Sequence, residues 1–290
     1  MLEPLAPSCS GEFMRFPWII VLLLLFAMAY PASAVSLPAP HAVEIPSVSG
    51  VLHAQLYKPE GSGPFPVVIA LHGCGGLAGH SEPVQPRYHD WAEELLKSGK
   101  AVLFPDSYGS RELGPQCRVR ERRVLARRER VTDILAARQW LMQQPWVAHD
   151  RISLLGWANG ASALLWAVRP QLSLHHVEPD FRSAIAFYPD CRISSGLGWS
   201  ARVPTLVLIG GKDDVSSPPA CRQMVEGAHG RSALTRIVVY PDAYHDFDLA
   251  NLPVHAIGPG NDADPEKGHV GTDPEARVDS QRRVTEWLSR

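Results

Sequence analysis

Short apolar runs and amphipathic segments alternate along most of the chain. The run FPVVIALHG, residues 65–73, is continuously apolar, which is typical of a strand buried on both faces of a sheet. The same pattern predicts further strands at residues 51–59, 100–107, 151–157, 183–189, 204–211 and 235–241. Helices are predicted at 83–98, 119–143 and 274–290. Strands and helices in regular alternation predict an α/β fold with a parallel sheet covered on both faces.

Three segments interrupt this pattern. A Pro-rich leader, residues 36–46, precedes the first predicted strand. Residues 118–130 contain seven arginines, and because these spread around a helix instead of forming one stripe, we interpret them as a solvated helix face. Residues 251–272 are rich in Pro, Gly, Asn and Asp, which predicts a long irregular loop before the last helix.

Residues 14–34 have the organisation of a secretory signal peptide. A positive residue is followed by an apolar stretch at 18–29, a proline and the small-residue sequence Ala-Ser-Ala. The apolar stretch is shorter than the roughly 20 residues of a membrane-spanning helix, which favours cleavage before Val35 over a stable membrane span. We therefore expect residues 1–34 to be an N-terminal extension with a cleaved signal. Residues 35–290 would then form a single domain, exported to the periplasm or secreted.

Charge and cysteine content narrow the classes of partner. The formal net charge is −2 at pH 7, which gives no reason to expect nucleic acid or an anionic membrane as a partner. Four of the five cysteines follow the signal segment, and export would allow two disulfides among them. Their spacing leaves three pairings open. Without a Cys-x-x-Cys motif the spacing does not indicate zinc, and we expect no metal and no cofactor.

Four motifs that carry candidate chemistry each follow a predicted strand. They are LHGCGG at 71–76, GWANG at 156–160, LIGGKDD at 208–214 and YPDAYHDFD at 240–248. The oxyanion loop, nucleophile elbow, acid and histidine of an α/β-hydrolase follow one another in this order. Gly156 and Gly160 would permit the sharp turn that presents the central residue of the elbow above the sheet.

Each motif supplies a candidate group with a defined role. His245 would accept a proton from the nucleophile, and Asp213 or Asp214 would hold its tautomer and stabilise its charged form. The backbone N–H groups of Cys74 and Asn159 would stabilise the developing oxyanion.

Seven segments resemble the dienelactone hydrolase family of α/β-hydrolases, in particular its exported, cysteine-containing bacterial members. They are LHGCGGL, FPDSYGSR, QPWVAHDRISLLGWANGAS, AFYPDC, LIGGKDDVSSPPAC, YPDAYHDFD and KGHVGTDPEARVDSQRRVTEWL. The resemblance implies an α/β-hydrolase fold and hydrolysis of carboxylic esters or lactones by a triad of Cys or Ser, His and Asp. His245 matches the family histidine. Asp213 is the better match for the acid because it lies three residues after Gly210, and Asp214 is the alternative.

Ala158 occupies the position that matches the family nucleophile. A methyl group cannot be deprotonated, so no acyl-enzyme would form there. Ser162 lies one helical turn further along and is expected to point along the helix. Three hypotheses follow. The protein is a weak hydrolase in which His245 and Asp213 activate a water molecule, or a non-catalytic protein that captures a small ester, lactone or carboxylate. In the third, the pocket is vestigial and an outer surface binds a partner protein, for which the sequence offers no feature.

Two further expectations concern loops at the carboxyl edge of the sheet. Disulfides are expected to join Cys74 to Cys117 and Cys191 to Cys221, since each pair joins loops at that edge. Arg111 follows a predicted strand in the sequence SYGSR. It would hold a substrate carboxylate, as arginines do in some family members, or form the surface salt bridge that we favour.

Overall fold

Residues 39–170, 178–257 and 268–290 are described by a computed structural model, and a central sheet extends through them. Its eight strands in these ranges are β1 (His41–Ser47), β2 (Gly50–Tyr57), β3 (Phe65–Leu71), β4 (Ala101–Pro105), β5 (Val147–Trp157), β6 (Ala184–Phe187), β7 (Thr205–Gly210) and β8 (Thr235–Tyr240). Their order across the sheet is β1, β2, β4, β3, β5, β6, β7, β8. The pairs β1 with β2 and β2 with β4 are antiparallel, and the other pairs are parallel.

Helices connect most of the parallel strands. They are α1 (Pro86–Lys97), α2 (Glu129–Leu141), α3 (Asn159–Ala167), α4 (Arg192–Gly196), α5 (Pro218–Ala228) and α6 (Pro274–Leu288), with a 3-10 turn at Gly109–Arg111. Local signals set two of the helix starts, because Ser217 and Asp273 accept hydrogen bonds from the first turns of α5 and α6. A separate two-stranded sheet pairs β9 (His255–Ala256) with β10 (His269–Val270) inside the segment predicted as a long loop.

The predicted core strands are confirmed. All residues of β4 and β7 and the last six of β5 are buried. Because neither face of these central strands meets water, they carry continuous apolar runs instead of alternating apolar and polar residues. Apolar runs therefore identified them in the sequence.

The leader at 36–46 was wrongly interpreted as lacking a strand, since most of it forms β1. Ile45 is fully buried and Val43 packs against the core, so the alternation of a strand is present among the prolines. Pro46 is tolerated because β1 is the edge strand of the sheet.

The predicted helix at 119–143 begins ten residues late, at Glu129. The segment before it is held in turns, because Cys117 is bonded to Cys74 and the Nε of Arg122 donates to the carbonyl of Gln116 at 3.0 Å. Glu129 stabilises the start of α2 by accepting a hydrogen bond from the N–H of Leu125 at 2.8 Å. The prediction that the arginine segment is a solvated helix was therefore wrong, because most of the segment is not helical. Arg130 is also not solvated, since its side chain is fully buried.

The predicted extension and signal, residues 1–34, lie outside the described residues. Among the helices that the structure describes, none has the length and apolar character required to cross a bilayer.

The sheet brings the four motifs to one edge. They follow β3, β5, β7 and β8, which are all parallel to one another, so the ends of these strands point the same way. Strands β3 and β5 are neighbours, which places the loop after β3 beside the turn after β5. We call residues 72–76 the oxyanion loop, 156–160 the elbow and 241–248 the histidine loop.

Candidate active site

His245 and Asp213 form a buried pair at this edge. The Nδ1 of His245 lies 2.9 Å from the Oδ2 of Asp213. The other oxygen, Oδ1, accepts hydrogen bonds from the backbone N–H groups of Val215 at 3.0 Å and Ser216 at 2.7 Å. Because an ionised carboxylate only accepts, Nδ1 is the donating nitrogen of the imidazole, and Nε2 is left to act as a base.

Asp214, the alternative acid, binds a different histidine. Its Oδ2 lies 2.8 Å from the Nδ1 of His269, and its Oδ1 accepts the N–H of His269 at 2.7 Å. The next residue, Val270, pairs with the backbone of His245. The structure thus brings Asp213 to the histidine of the motif, and Asp214 supports the neighbouring strand.

The surroundings of His245 favour its charged form. Burial alone would lower the pKa of His245, but the hydrogen bond with Asp213 and the nearby carboxylate of Asp246 outweigh burial and raise this pKa above 6.5. The positive charge of Arg87 opposes the rise, although Arg87 is itself paired with Asp246 at 2.6 Å. The ring of Tyr188 lies 4.3 Å from the imidazole. An imidazolium formed by proton transfer is therefore stabilised at this place.

A buried acid that the sequence analysis missed, Asp248, holds the histidine loop against the sheet. Its Oδ2 accepts hydrogen bonds from the indole N–H groups of Trp91 at 2.8 Å and Trp157 at 2.9 Å. Its Oδ1 accepts the hydroxyl of Tyr188 at 2.6 Å. The motif contained this acid, but its three partners come from distant segments that the sequence does not connect.

Ala158 lies at the turn between β5 and α3 in a conformation that residues other than glycine rarely adopt. Its φ is 46° and its ψ is −111°. Such a backbone costs about 1–3 kcal/mol and persists only where the surrounding structure enforces it. Here the N–H of Ala158 donates to the carbonyl of Phe187 at 3.0 Å. The backbone therefore makes the sharp turn that was predicted here, with the methyl group of Ala158 at its centre.

The two elbow glycines are required by close packing. A Cβ on Gly160 would lie 2.1 Å from the carbonyl oxygen of Leu71 and 2.6 Å from that of His72. A Cβ on Gly156 would lie 2.7 Å from the carbonyl carbon of Gly160. Because these neighbours are backbone atoms, no small side-chain movement would make room, and the start of α3 is held against the end of β3.

We expect Gly160→Ala to lower the free energy of unfolding by about 3 kcal/mol or more, since the added methyl group would overlap the backbone of β3. Denaturant unfolding of the purified variants measures this loss. Gly114→Ala is the matched control, because nothing lies within 4 Å of its added Cβ. An equal loss in both variants would contradict the close approach at the elbow.

Neither of the other candidate nucleophiles is available. The hydroxyl of Ser162 donates to the carbonyl of Ala158 at 3.1 Å and accepts the N–H of Asp190 at 3.0 Å. The sulfur of Cys74 is bonded to Cys117. Both groups therefore take part in bonds that stabilise the backbone around the elbow.

The oxyanion loop lies beside the elbow. A Cβ on Gly73 would lie 3.8 Å from the Cβ of Ala158, and the N–H of Gly73 donates to the hydroxyl of Tyr88 at 2.8 Å. The carbonyl of Cys74 accepts the N–H of Gln116 at 2.7 Å. The loop that carries the predicted donor Cys74 is thereby held next to residue 158, and the role of its N–H in binding an oxyanion stays a prediction.

Arg130 reaches the elbow through the side chain of Asn159. The Nη1 of Arg130 donates to the Oδ1 of Asn159 at 2.9 Å, and the hydroxyl of Tyr108 donates to the same oxygen at 3.1 Å. The backbone N–H of Asn159, the second predicted oxyanion donor, belongs to the first turn of α3 and therefore has no acceptor within the helix. This role of Arg130 was not predicted, because the arginine segment was expected to be an exposed helix face, whereas Arg130 lies in the buried part of the first turn of α2.

Arg111, the candidate for holding a substrate carboxylate, is engaged by an acid of this chain. Its Nη1 and Nη2 donate to the two oxygens of Asp133 at 3.0 and 2.8 Å, and Nη1 also donates to the carbonyl of Ser107 at 2.7 Å. A salt bridge is therefore present, but the prediction that it lies at the surface was wrong, because the Asp133 side chain is only 1% exposed.

Both expected disulfides are confirmed. Cys74 is joined to Cys117 and Cys191 to Cys221, with Cα atoms 4.8 and 5.0 Å apart. The first ties the oxyanion loop to the segment before α2, and the second ties the start of α4 to α5. In the described ranges, no group of three or more His, Cys, Asp or Glu side chains is arranged to hold a metal ion.

Comparisons with known proteins identify the family and the fold. A family model described as the dienelactone hydrolase family matches residues 52–290. A solved structure of dienelactone hydrolase from Anabaena variabilis is 20% identical, covers 87% of this chain and 98% of its own, and gives a TM-score of 0.61. No curated protein matches the chain.

Two further structures are 17% identical to this chain. A dienelactone hydrolase-like promiscuous phosphotriesterase from metagenomic libraries has a TM-score of 0.61, covering 87% of this chain and 98% of its own. Esterase 2 of Thermogutta terrifontis, phosphorylated by paraoxon, has a TM-score of 0.60, covering 87% and 94%. These similarities confirm the predicted α/β-hydrolase fold.

Proposed function

The chain belongs to the dienelactone hydrolase family, and on this basis we propose that its site binds small carboxylic esters or lactones and hydrolyses them slowly with a water molecule activated by His245. The observation that carries the proposal is the buried pair of His245 and Asp213 at the same sheet edge as the elbow. At the centre of that elbow, Ala158 offers no nucleophilic atom. A general base without a nucleophile favours direct attack by water.

In the proposed reaction, water occupies the space that a nucleophilic side chain would fill. The Nε2 of His245 accepts a proton from this water while the water oxygen forms a bond to the acyl carbon. The N–H groups of Cys74 and Asn159 stabilise the negative charge on the acyl oxygen. The bond to the alkoxide then breaks, and His245 returns its proton to the alkoxide. An ester yields an acid and an alcohol, and a lactone yields a hydroxy acid.

The rate of this reaction would be low. Triad enzymes without their nucleophile retain roughly 10³- to 10⁴-fold acceleration over water, which comes from substrate binding and the oxyanion hole. We expect an acceleration of this order over the uncatalysed reaction, measurable with an activated ester such as p-nitrophenyl butyrate.

Replacement of His245 by glutamine is expected to reduce release of p-nitrophenol to the rate in buffer, since His245 is the base proposed to activate the water molecule. In the unmodified protein the rate should rise with pH and reach half its maximum above 6.5, because His245 must be neutral to accept a proton and its pKa is raised. Stopped assays across a pH series measure both effects.

His269→Gln is the matched control for this experiment. It removes a histidine from a similar Asp-His pair, with Asp214, that lies outside the proposed site. The two variants should differ clearly in rate. If His245→Gln and His269→Gln had the same activity, the slow hydrolase would be ruled out.

A second function, capture of the ligand without turnover, is favoured by the engagement of Ser162 and Cys74 in structural bonds. Such a protein would show a ligand-dependent rise in melting temperature with no product after prolonged incubation. Product formation that depends on His245 would exclude it.

We further propose that the protein acts after export. The two disulfides support this, because disulfides persist in oxidising compartments such as the periplasm. The proposed signal and the single domain over residues 35–290 stay predictions.

A further inference from the structure

Arg130 carries a buried positive charge beside the elbow that the hydrolytic mechanism does not use. It is fully buried, and among the described residues its Nε and Nη2 have no hydrogen-bond partner. Nη1 donates a hydrogen bond to the neutral side-chain amide of Asn159. A guanidinium has five N–H donors and stays protonated in proteins, so most of its capacity is unused here.

No acid of the described chain pairs directly with Arg130. Asp133, the nearest acid on α2, already holds Arg111 with both carboxylate oxygens. Asp106 accepts the backbone N–H groups of Tyr108 and Gly109 instead. Burial of the guanidinium lowers the pKa of Arg130 and is the larger effect, whereas both acids raise this pKa through their charge without a direct contact. A buried cation without an ion-pair partner is costly, and its uncompensated charge makes the region around Asn159 electropositive and favourable for an anion nearby.

The positive charge of Arg130 also acts on the oxyanion loop, through His72. Burial and the nearby Arg130 hold the pKa of His72 well below its usual range, so His72 is neutral at the start of that loop. Its Nδ1 binds the carbonyl of Gly73 and its Nε2 accepts the N–H of Ser107. Because His72 and Arg130 are both fully buried, the guanidinium charge is screened far less than a surface charge would be.

The alanine at the elbow, Ala158, favours a carboxylate over an ester for a second reason. An ester presents one acyl oxygen to the oxyanion donors, whereas a carboxylate presents two oxygens. A serine hydroxyl at position 158 would compete for the place of the second oxygen, whereas the methyl group of Ala158 carries no such oxygen. His245, in its charged form, would donate a hydrogen bond to that oxygen.

We propose that the site selectively binds the anion of a small carboxylic acid, in preference to a neutral ester or amide, at the space above Ala158. One carboxylate oxygen binds the N–H groups of Cys74 and Asn159, and the other binds His245. Arg130 acts as a positioning residue that holds Asn159 and makes this region electropositive. The inference rests on the proposed function for the location of the ligand.

The pH dependence of carboxylate binding has the opposite sign to that of hydrolysis. Binding requires protonated His245, so affinity falls as pH rises through the pKa of this histidine, while hydrolysis accelerates. The charged and titratable groups facing His245 are Asp213 from the loop after β7, Asp246 of the histidine loop, Arg87 from α1 and Tyr188 after β6. The acids raise the pKa of His245 and Arg87 lowers it.

Calorimetric titration of the full protein tests the proposal with linear carboxylates from acetate to octanoate and with benzoate, each beside the amide of the same acid. We expect the best carboxylate to bind at least about tenfold more tightly than its amide, because only the anion forms charge-assisted hydrogen bonds. This ratio should shrink in His245→Gln. Ala158→Ser should weaken binding of the carboxylate by refilling the space of its second oxygen.

Arg130→Met is expected to weaken binding of the best carboxylate by about 10- to 100-fold and to reduce its preference over the amide. Arg128→Met removes an arginine that is two residues away and whose side chain is 70% exposed. This variant should leave the affinity for the carboxylate and its preference over the amide unchanged. Arg130→Lys keeps the charge and should retain most of the preference. It also provides the test if the methionine variant does not fold, as judged by its circular dichroism.

Three outcomes would overturn the inference. They are the absence of binding by every carboxylate of the series, equal affinity for carboxylate and amide, and equal effects of Arg128→Met and Arg130→Met. The p-nitrophenyl butyrate assay distinguishes a failure of the carboxylate-binding proposal from a failure of the proposed hydrolase activity. Carboxylate binding without hydrolysis would leave the inference standing, and hydrolysis without carboxylate binding would leave only the hydrolase.

Discussion

Ala158→Ser should raise the rate of p-nitrophenyl butyrate hydrolysis by about 10³-fold or more. Loss of the nucleophile costs on the order of 10⁶ in a triad enzyme, and a single hydroxyl would restore the covalent route here. Two features that the covalent route needs are already present, since His245 is bound to Asp213 and residue 158 has the strained backbone of an elbow. The variant therefore needs no rearrangement of the chain.

The restored enzyme should also show a burst of p-nitrophenol equal in amount to the enzyme, because an acyl-enzyme would accumulate before water hydrolyses it. Ala158→Gly is the matched control, as it changes the same position without adding a nucleophile, and it should show no burst. A folded Ala158→Ser protein with no gain in rate would mean that the elbow and His245 do not form a working site.

Asp213→Asn, introduced into the Ala158→Ser protein, should lower kcat for ester hydrolysis by about 10⁴-fold. An amide does not stabilise the imidazolium and permits the wrong tautomer of the histidine, which is the origin of a loss of this size in triad enzymes. The pKa of His245 should fall at the same time, because the hydrogen bond with Asp213 is one of the interactions that raise it against burial. Steady-state kinetics over a pH series report both changes.

Asp214→Asn in the same background is the matched control. This acid is the direct neighbour of Asp213 in sequence, but it binds His269. Its replacement should change kcat by no more than about threefold, in line with the small effects of partly exposed ion pairs. Comparable losses in the two variants would show that the assignment of the acid to Asp213 is wrong.

Much of the fold could be predicted because its signals are local. A strand buried on both faces needs a continuous apolar run, and β4, β5 and β7 show this directly. The edge strand β1 was missed because prolines precede it and Pro46 lies within it, which an edge position tolerates. The start of α2 was misplaced because a disulfide, and not helix propensity, determines the path of the chain before Glu129.

The candidate site was predictable to a similar extent. The four motifs and their order follow from short sequences after strands, and the parallel sheet brings their ends to one edge. The supporting residues Arg130 and Asp248 were not predictable. Each acts through partners that are far away in sequence. Nothing in the sequence distinguishes Arg130 from the six other arginines of its segment, or shows which residues Asp248 contacts.

The amino-acid sequence by itself determined the alternation of strands and helices, the order of the motifs and the absence of a nucleophile at Ala158. These properties reside in single residues or in neighbours along the chain. Only the tertiary structure decided that Asp213 and not Asp214 meets His245, that Arg111 is occupied by Asp133, and that Arg130 is buried at the elbow. The physical reason is that hydrogen bonds and burial depend on distances between segments, which are established only when the whole sheet and its loops have assembled.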